Sequence, residues 1–92
     1  MMRVIVACGN GMGSSLMMKL TVEKIFRKAG VDADIDHSSV GDACGIADNY
    51  DLVLCPMTFC DMFAKTKAKV IGVQNAVSAA EITEKLQAEG II

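Results

Sequence analysis

Aromatic residues are scarce in this chain, at 4% of 92 residues, and no basic face or tract stands out against a net charge of −2. Both shortages argue against a nucleic-acid partner, which is held by clustered lysine and arginine and by aromatic stacking. Charged residues make up only 22% and hydrophobic ones 52%, which excludes a disordered chain and leaves ample material for burial. Long hydrophobic runs are missing too. The opening apolar stretch stops at Cys8 and Gly9, short of a signal-peptide core and far short of the roughly 20 residues of a membrane span. The chain is therefore expected in the cytoplasm. Its four cysteines, Cys8, Cys44, Cys55 and Cys60, form no CxxC pair, and His37 is the single histidine. Reduced thiols are expected rather than a disulfide framework, with no metal and no cofactor. At this length the chain makes one domain, residues 1–92, around one modest core.

What the sequence does contain is an alternation of short β-branched runs with longer helical patterns, the mark of an α/β fold with a parallel sheet. Arg3–Ala7 and Asp51–Cys55 are nearly continuous apolar runs, as central strands buried on both faces require. Val31–Asp36 alternates apolar with acidic residues, which marks an edge strand with one wet face. Lys69–Val73 closes the other edge. Right-handed crossovers then give a four-stranded parallel sheet of order 2-1-3-4, the middle layer of three, with helices on both faces.

Met18, Val22, Ile25, Phe26 and Ala29 recur at helical spacing, and Gly30 stops that helix behind Arg27 and Lys28. Ser78 and Glu81 form a capping-box pattern ahead of Ile82 and Leu86, in a helix ended by Gly90. Thr58 followed by Asp61 predicts a short helix after the third strand. A weaker helical pattern covers Gly41–Asn49, where Gly45 counts against it. Lys65, Lys67 and Lys69 read as a solvated face.

Chemistry concentrates in Cys8-Gly9-Asn10-Gly11-Met12-Gly13-Ser14-Ser15, between the first strand and the first helix. In an open parallel sheet, ligands bind beyond the carboxyl ends of strands where the strand order reverses, here between strands 1 and 3. Three glycines in five residues let successive N–H groups converge into an anion nest at a helix N-terminus. Ser14 and Ser15 suit the N-cap, and either hydroxyl can also donate to a phosphate. The same field favours a thiolate, so Cys8 is expected to be a nucleophile of depressed acidity constant, the thiol alkylated first at neutral pH. Cys44, Cys55 and Cys60 are expected to fill the core, and His37 to follow the edge strand and face solvent.

This loop resembles that of the enzyme IIB components of the bacterial phosphoenolpyruvate-dependent sugar phosphotransferase system, most nearly the ascorbate-specific group. A second, weaker match is Val70-Ile71-Gly72-Val73-Gln74-Asn75 with Ser78. The resemblance implies a phosphotransferase in which Cys8 takes phosphate from a phosphohistidine on a IIA protein. It passes that phosphate to a sugar, ascorbate in the group most resembled, held by a membrane IIC component. Gly9 to Ser15 would bind the phosphate, and no metal would be needed. The alternative is a low-molecular-weight cysteine phosphatase or arsenate reductase, whose cysteine-first loop is similar. Those enzymes place an arginine clamp where this chain has Ser14, and no Asp-Pro loop supplies their general acid. A nucleotide-binding module is weaker still, because Ser14 replaces the third glycine of that fingerprint and the Walker lysine is absent.

Overall fold

A computed structural model describes residues 2–8, 12–75 and 78–92, with the side chains of residues 12–15 outside that description. Four parallel strands, β1 (Met2–Cys8), β2 (Ala33–Ser39), β3 (Leu52–Pro56) and β4 (Lys69–Val73), lie in the order β2-β1-β3-β4. The sheet order and its parallel sense are those expected from the sequence. Three α-helices, α1 (Met12–Ala29), α2 (Val40–Ile46) and α3 (Ala79–Ala88), complete the layers.

The two central strands are buried on both sides, and their alternating side chains feed two separate cores. Val4, Val6, Leu52 and Leu54 pack with Met18, Val22, Ile25 and Phe26 of α1 and with Ile82 and Leu86 of α3. Ile5, Ala7, Val53 and Cys55 pack on the other side with Val40, Ala43, Ala47 and Phe63. The expected stripe on α1 is thus real except at its end, because Ala29 sits exposed in the last turn.

Helix ends follow the expected glycine chemistry. Gly30 has φ +72°, and the Val31 N–H donates to the Phe26 carbonyl at 3.0 Å, closing α1 with a left-handed residue. Gly90, at φ +75°, ends α3 in the same way, with Ile91 N–H on the Leu86 carbonyl at 3.0 Å. At the start of α3 the Ser78 hydroxyl accepts from Glu81 N–H at 3.2 Å. The other half of the expected capping box is redirected. The Glu81 carboxylate accepts from Gln74 N–H at 2.6 Å and Asn75 N–H at 2.8 Å, tying the turn after β4 to α3. Those two backbone donors hold the Glu81 carboxyl below the usual carboxylate range. Ser78→Ala should lower stability by about 1 kcal/mol in urea unfolding. No change would mean the hydroxyl is not acting as the cap.

Three local expectations need correction. β2 begins at Ala33 and runs to Ser39, so His37 lies inside the strand opposite Val6 and is half-buried rather than solvent-facing. The alternation signal spanned the approach to the strand as well as its body. After β3 comes a 3-10 helix, Met57–Phe63, that starts behind Pro56 with no side-chain cap, so Thr58 is inside it and does not start it. The N-cap position belongs to Pro56, whose side chain has no acceptor, and Thr58 falls two residues beyond it. The weak segment 41–49 is helical from Val40, capped by Ser39, whose hydroxyl accepts from Asp42 N–H at 3.3 Å, and ends in a 3-10 turn Ala47–Asn49.

Candidate functional site

Cys8 is the last residue of β1, the strand from which the chain crosses first to β2 on one side and later to β3 on the other. It therefore stands at the switch point where parallel sheets bind ligands. Helix α1 opens four residues later, at Met12, so its unpaired N-terminal N–H groups and positive dipole end lie close along the chain. Residues 9–11, which carry the expected Gly9-Asn10-Gly11 nest, lie outside the described residues. Because α1 already includes Met12, Ser14 and Ser15 occupy its first turn and not its N-cap. The expectation that a serine caps this helix is corrected on that ground.

Strand parity decides where the Cys8 side chain goes. Val4, Val6 and Cys8 share the face covered by α1, and the Cys8 thiol donates to Met18 Sδ at 3.8 Å. Cys8 is only 3% exposed. Burial pushes its thiol up from the ordinary value, the reverse of the depressed acidity expected from the loop. The physical reason is desolvation: a thiolate beside a methionine thioether and aliphatic side chains loses more hydration than it recovers there.

The other thiols are distributed differently from expectation as well. Cys55 is buried as expected, and Cys60 is half-buried with its sulfur 3.7 Å from that of Cys55. Cys44, expected in the core, is exposed, and its thiol donates to the Met62 carbonyl at 3.4 Å. In α2 the buried positions are Val40 and Ala43, which turns Cys44 outward. Alkylation at pH 7 should consequently modify Cys44 before Cys8, read by peptide mass mapping. Cys8 reacting first would contradict its burial.

Alkaline titration offers a second check. Burial and the neighbouring Cys60 push the Cys55 thiol up to about 12, from an ordinary 9.0. Between those values the unfolded chain has lost protons that the native state keeps, so the stabilisation is intact below pH 9 and disappears towards pH 12. Tyr50, which donates to Asp36 at 2.7 Å and is raised by that bond, adds to the same loss. The urea midpoint should fall steadily from pH 9 upward, and less steeply in Cys55→Val; equal slopes would remove Cys55 as a cause.

Sequence patterning did not single out the apolar side chains left in solvent around this end of the sheet. Leu16, Met17 and Leu20 of α1 and Met57 behind β3 are each about half exposed. The three on α1 are the apolar residues that fall off its buried stripe. His37 lies on β2, paired with Val6, and Ser39 pairs with Cys8 itself, so both flank the site from the edge strand. The three lysines Lys65, Lys67 and Lys69 are exposed as expected, Lys69 pairing with Glu89 at 2.5 Å. A groove of about 800 Å³ between α1 and α3, lined by Thr21, Arg27, Lys28 and Thr83, sits towards the C-terminal end of α1, away from Cys8.

A family model, that of the lactose/cellobiose-specific IIB subunit of the phosphotransferase system, matches the chain over residues 3–88. The chain belongs to that IIB family. Among similar proteins, an ascorbate-specific PTS system EIIB component of Mycoplasma pneumoniae is 35% identical over 86 residues, covering 92% of this chain and 90% of that one. The ascorbate-specific EIIB component of Escherichia coli O157:H7 is 29% identical over 85 residues, covering 91% and 84%. The lactose-specific IIB component domain of Streptococcus pneumoniae superposes with a TM-score of 0.61 at 15% identity, over 96% of this chain and 93% of that one, and so shares the fold. IIB components are phosphotransferases that work with IIA and IIC partners. Among the described residues no helix is long and apolar enough to cross a membrane.

Proposed function

We propose that this IIB component carries phosphate on Cys8, between a phosphohistidine of a IIA protein and ascorbate bound by a membrane IIC component, at the cytoplasmic face. The position of Cys8 carries the reading: it ends the switch strand, and α1 begins four residues beyond it. The sugar assignment is supported by the ascorbate-specific names of the two relatives.

In the accepting half-reaction the P–N bond of the donor breaks and a P–S bond forms on Cys8. The thiol proton ends on the departing imidazole nitrogen, so atoms and charge balance without an outside base. In the donating half-reaction the P–S bond breaks, a P–O bond forms on the sugar, and the hydroxyl proton returns to Cys8. Burial raises this thiol, so it keeps its proton at rest, gives it up only as the P–S bond forms, and reclaims one readily as the phosphate departs. The backbone N–H groups from Gly9 to Gly13, with the hydroxyls of Ser14 and Ser15, are assigned to the equatorial oxygens, where charge stabilisation and positioning do most of the work of phosphoryl transfer.

The test is phosphorylation of the full chain with phosphoenolpyruvate, the general phosphotransferase proteins and an ascorbate-specific IIA, read by mass spectrometry under conditions that preserve thiophosphate. Phosphate found on Cys8 supports the reading. Phosphate on His37 or on another cysteine overturns it.

A further inference from the structure

The second face of the sheet holds a pair of sulfurs that phosphate transfer does not use. Cys55 is the penultimate residue of β3, fully buried, and Cys60 lies in the 3-10 helix that follows, half-buried. Their Sγ atoms are 3.7 Å apart, and a disulfide needs about 2.05 Å, so bonding requires the two side chains to rotate towards each other. The seat is shaped by a glycine. Gly72 is the β4 partner of Cys55, and a Cβ placed on it would collide with the Cys60 sulfur and press on Met57. The missing side chain is therefore what allows the Cys60 sulfur to lie over β4 beside Cys55. The other two thiols point elsewhere, Cys8 to Met18 on the opposite face and Cys44 to the Met62 carbonyl.

We propose that Cys55 and Cys60 form a reversible oxidation site, which a hydroperoxide converts to an intrachain disulfide joining the end of β3 to the 3-10 helix behind it. Cys60, the more accessible sulfur, reacts first: its thiolate takes one peroxide oxygen to become a sulfenic acid, and the O–O bond breaks to release water after protonation. The Cys55 sulfur then attacks the Cys60 sulfur, forming S–S and expelling a second water. Two thiols are oxidised by two electrons and one hydrogen peroxide is reduced to two waters. A dithiol reductant reverses the step. Val6 pairs with Leu54, two residues before Cys8 and one before Cys55, so the disulfide would fix a segment close along the sheet to Cys8.

The experiment takes the reduced full-length protein, treats it with hydrogen peroxide, and counts thiols with N-ethylmaleimide after denaturation. Two of the four thiols should be lost, with the mass down by about 2 Da and both changes reversed by dithiothreitol. Tandem mass spectrometry should place the link between Cys55 and Cys60. The Cys8→Ser/Cys44→Ser double variant, which leaves only this pair, should oxidise at an unchanged rate. Cys55→Ala should give no disulfide and instead a Cys60 sulfenic acid trapped by dimedone. A link involving Cys8 or Cys44, or four thiols retained at a peroxide dose that oxidises free glutathione, would overturn the proposal. Neither result depends on whether Cys8 carries phosphate.

Discussion

Replacing Cys8 with serine should abolish phosphate uptake from phospho-IIA, whereas Cys44→Ser, Cys55→Ser and Cys60→Ser should each still be labelled. The expected loss is on the order of a thousandfold or more, the scale seen when a covalent nucleophile is removed from a group-transfer site. The substitution is nearly isosteric, so the β1 end should persist. What changes is the atom: oxygen is far less polarisable than sulfur, and its proton is held much more tightly. The Cys8 thiol hydrogen-bonds to the Met18 thioether, which cannot serve as a base. A serine hydroxyl there would gain no base from that partner. Circular dichroism and the urea midpoint of Cys8→Ser should stay close to those of the parent, which separates lost chemistry from lost fold. Labelling of Cys8→Ser at the parent rate would assign the acceptor elsewhere.

The same residue shows where sequence reasoning was strong and where it ran out. That Cys8 lies between a central strand and a helix followed from the apolar run Arg3–Ala7 and the glycines after it, although the strand runs one residue further than expected and takes in Cys8 itself. Its acidity did not. The loop amides and the helix dipole favour a thiolate, but the strand sends the sulfur under α1 onto Met18. In a sheet covered on both faces either parity buries the side chain, so desolvation of the sulfur governs its acidity. The edge strand failed in a different way. Val31-Asp32-Ala33 continues the alternation of β2, but Val31 N–H is spent on the Phe26 carbonyl that closes α1, Asp32 gives β1 only its carbonyl, which accepts from Met2 N–H at 3.2 Å, and the paired register starts at Ala33. Period-two patterning cannot distinguish those duties. Glu81 was legible as a capping residue; that its carboxylate would instead hold Gln74 and Asn75 depended on how closely β4 and α3 meet, a tertiary fact.

Phe26→Ala should cost about 3–5 kcal/mol of stability, the range for removing a buried aromatic ring and leaving a cavity. Phe26 is 2% exposed in the core shared by Val4, Ile35, Val22 and Cys8, and its carbonyl also accepts the bond that closes α1. Natural domains hold only about 5–15 kcal/mol in total, so a chain of this size should lose a large share of its margin. The urea midpoint should drop with the slope unchanged, since the surface exposed on unfolding is nearly the same. Phe26→Leu, which refills most of the volume, should recover more than half the loss, and Lys28→Ala, an exposed neighbour in the same turn, should move the midpoint by less than about 0.5 kcal/mol. If Phe26→Ala cost under about 1 kcal/mol, the α1 face of the sheet would be too loosely packed to desolvate Cys8. The raised thiol, and with it the proton-keeping role assigned to that burial, would then lose its physical basis.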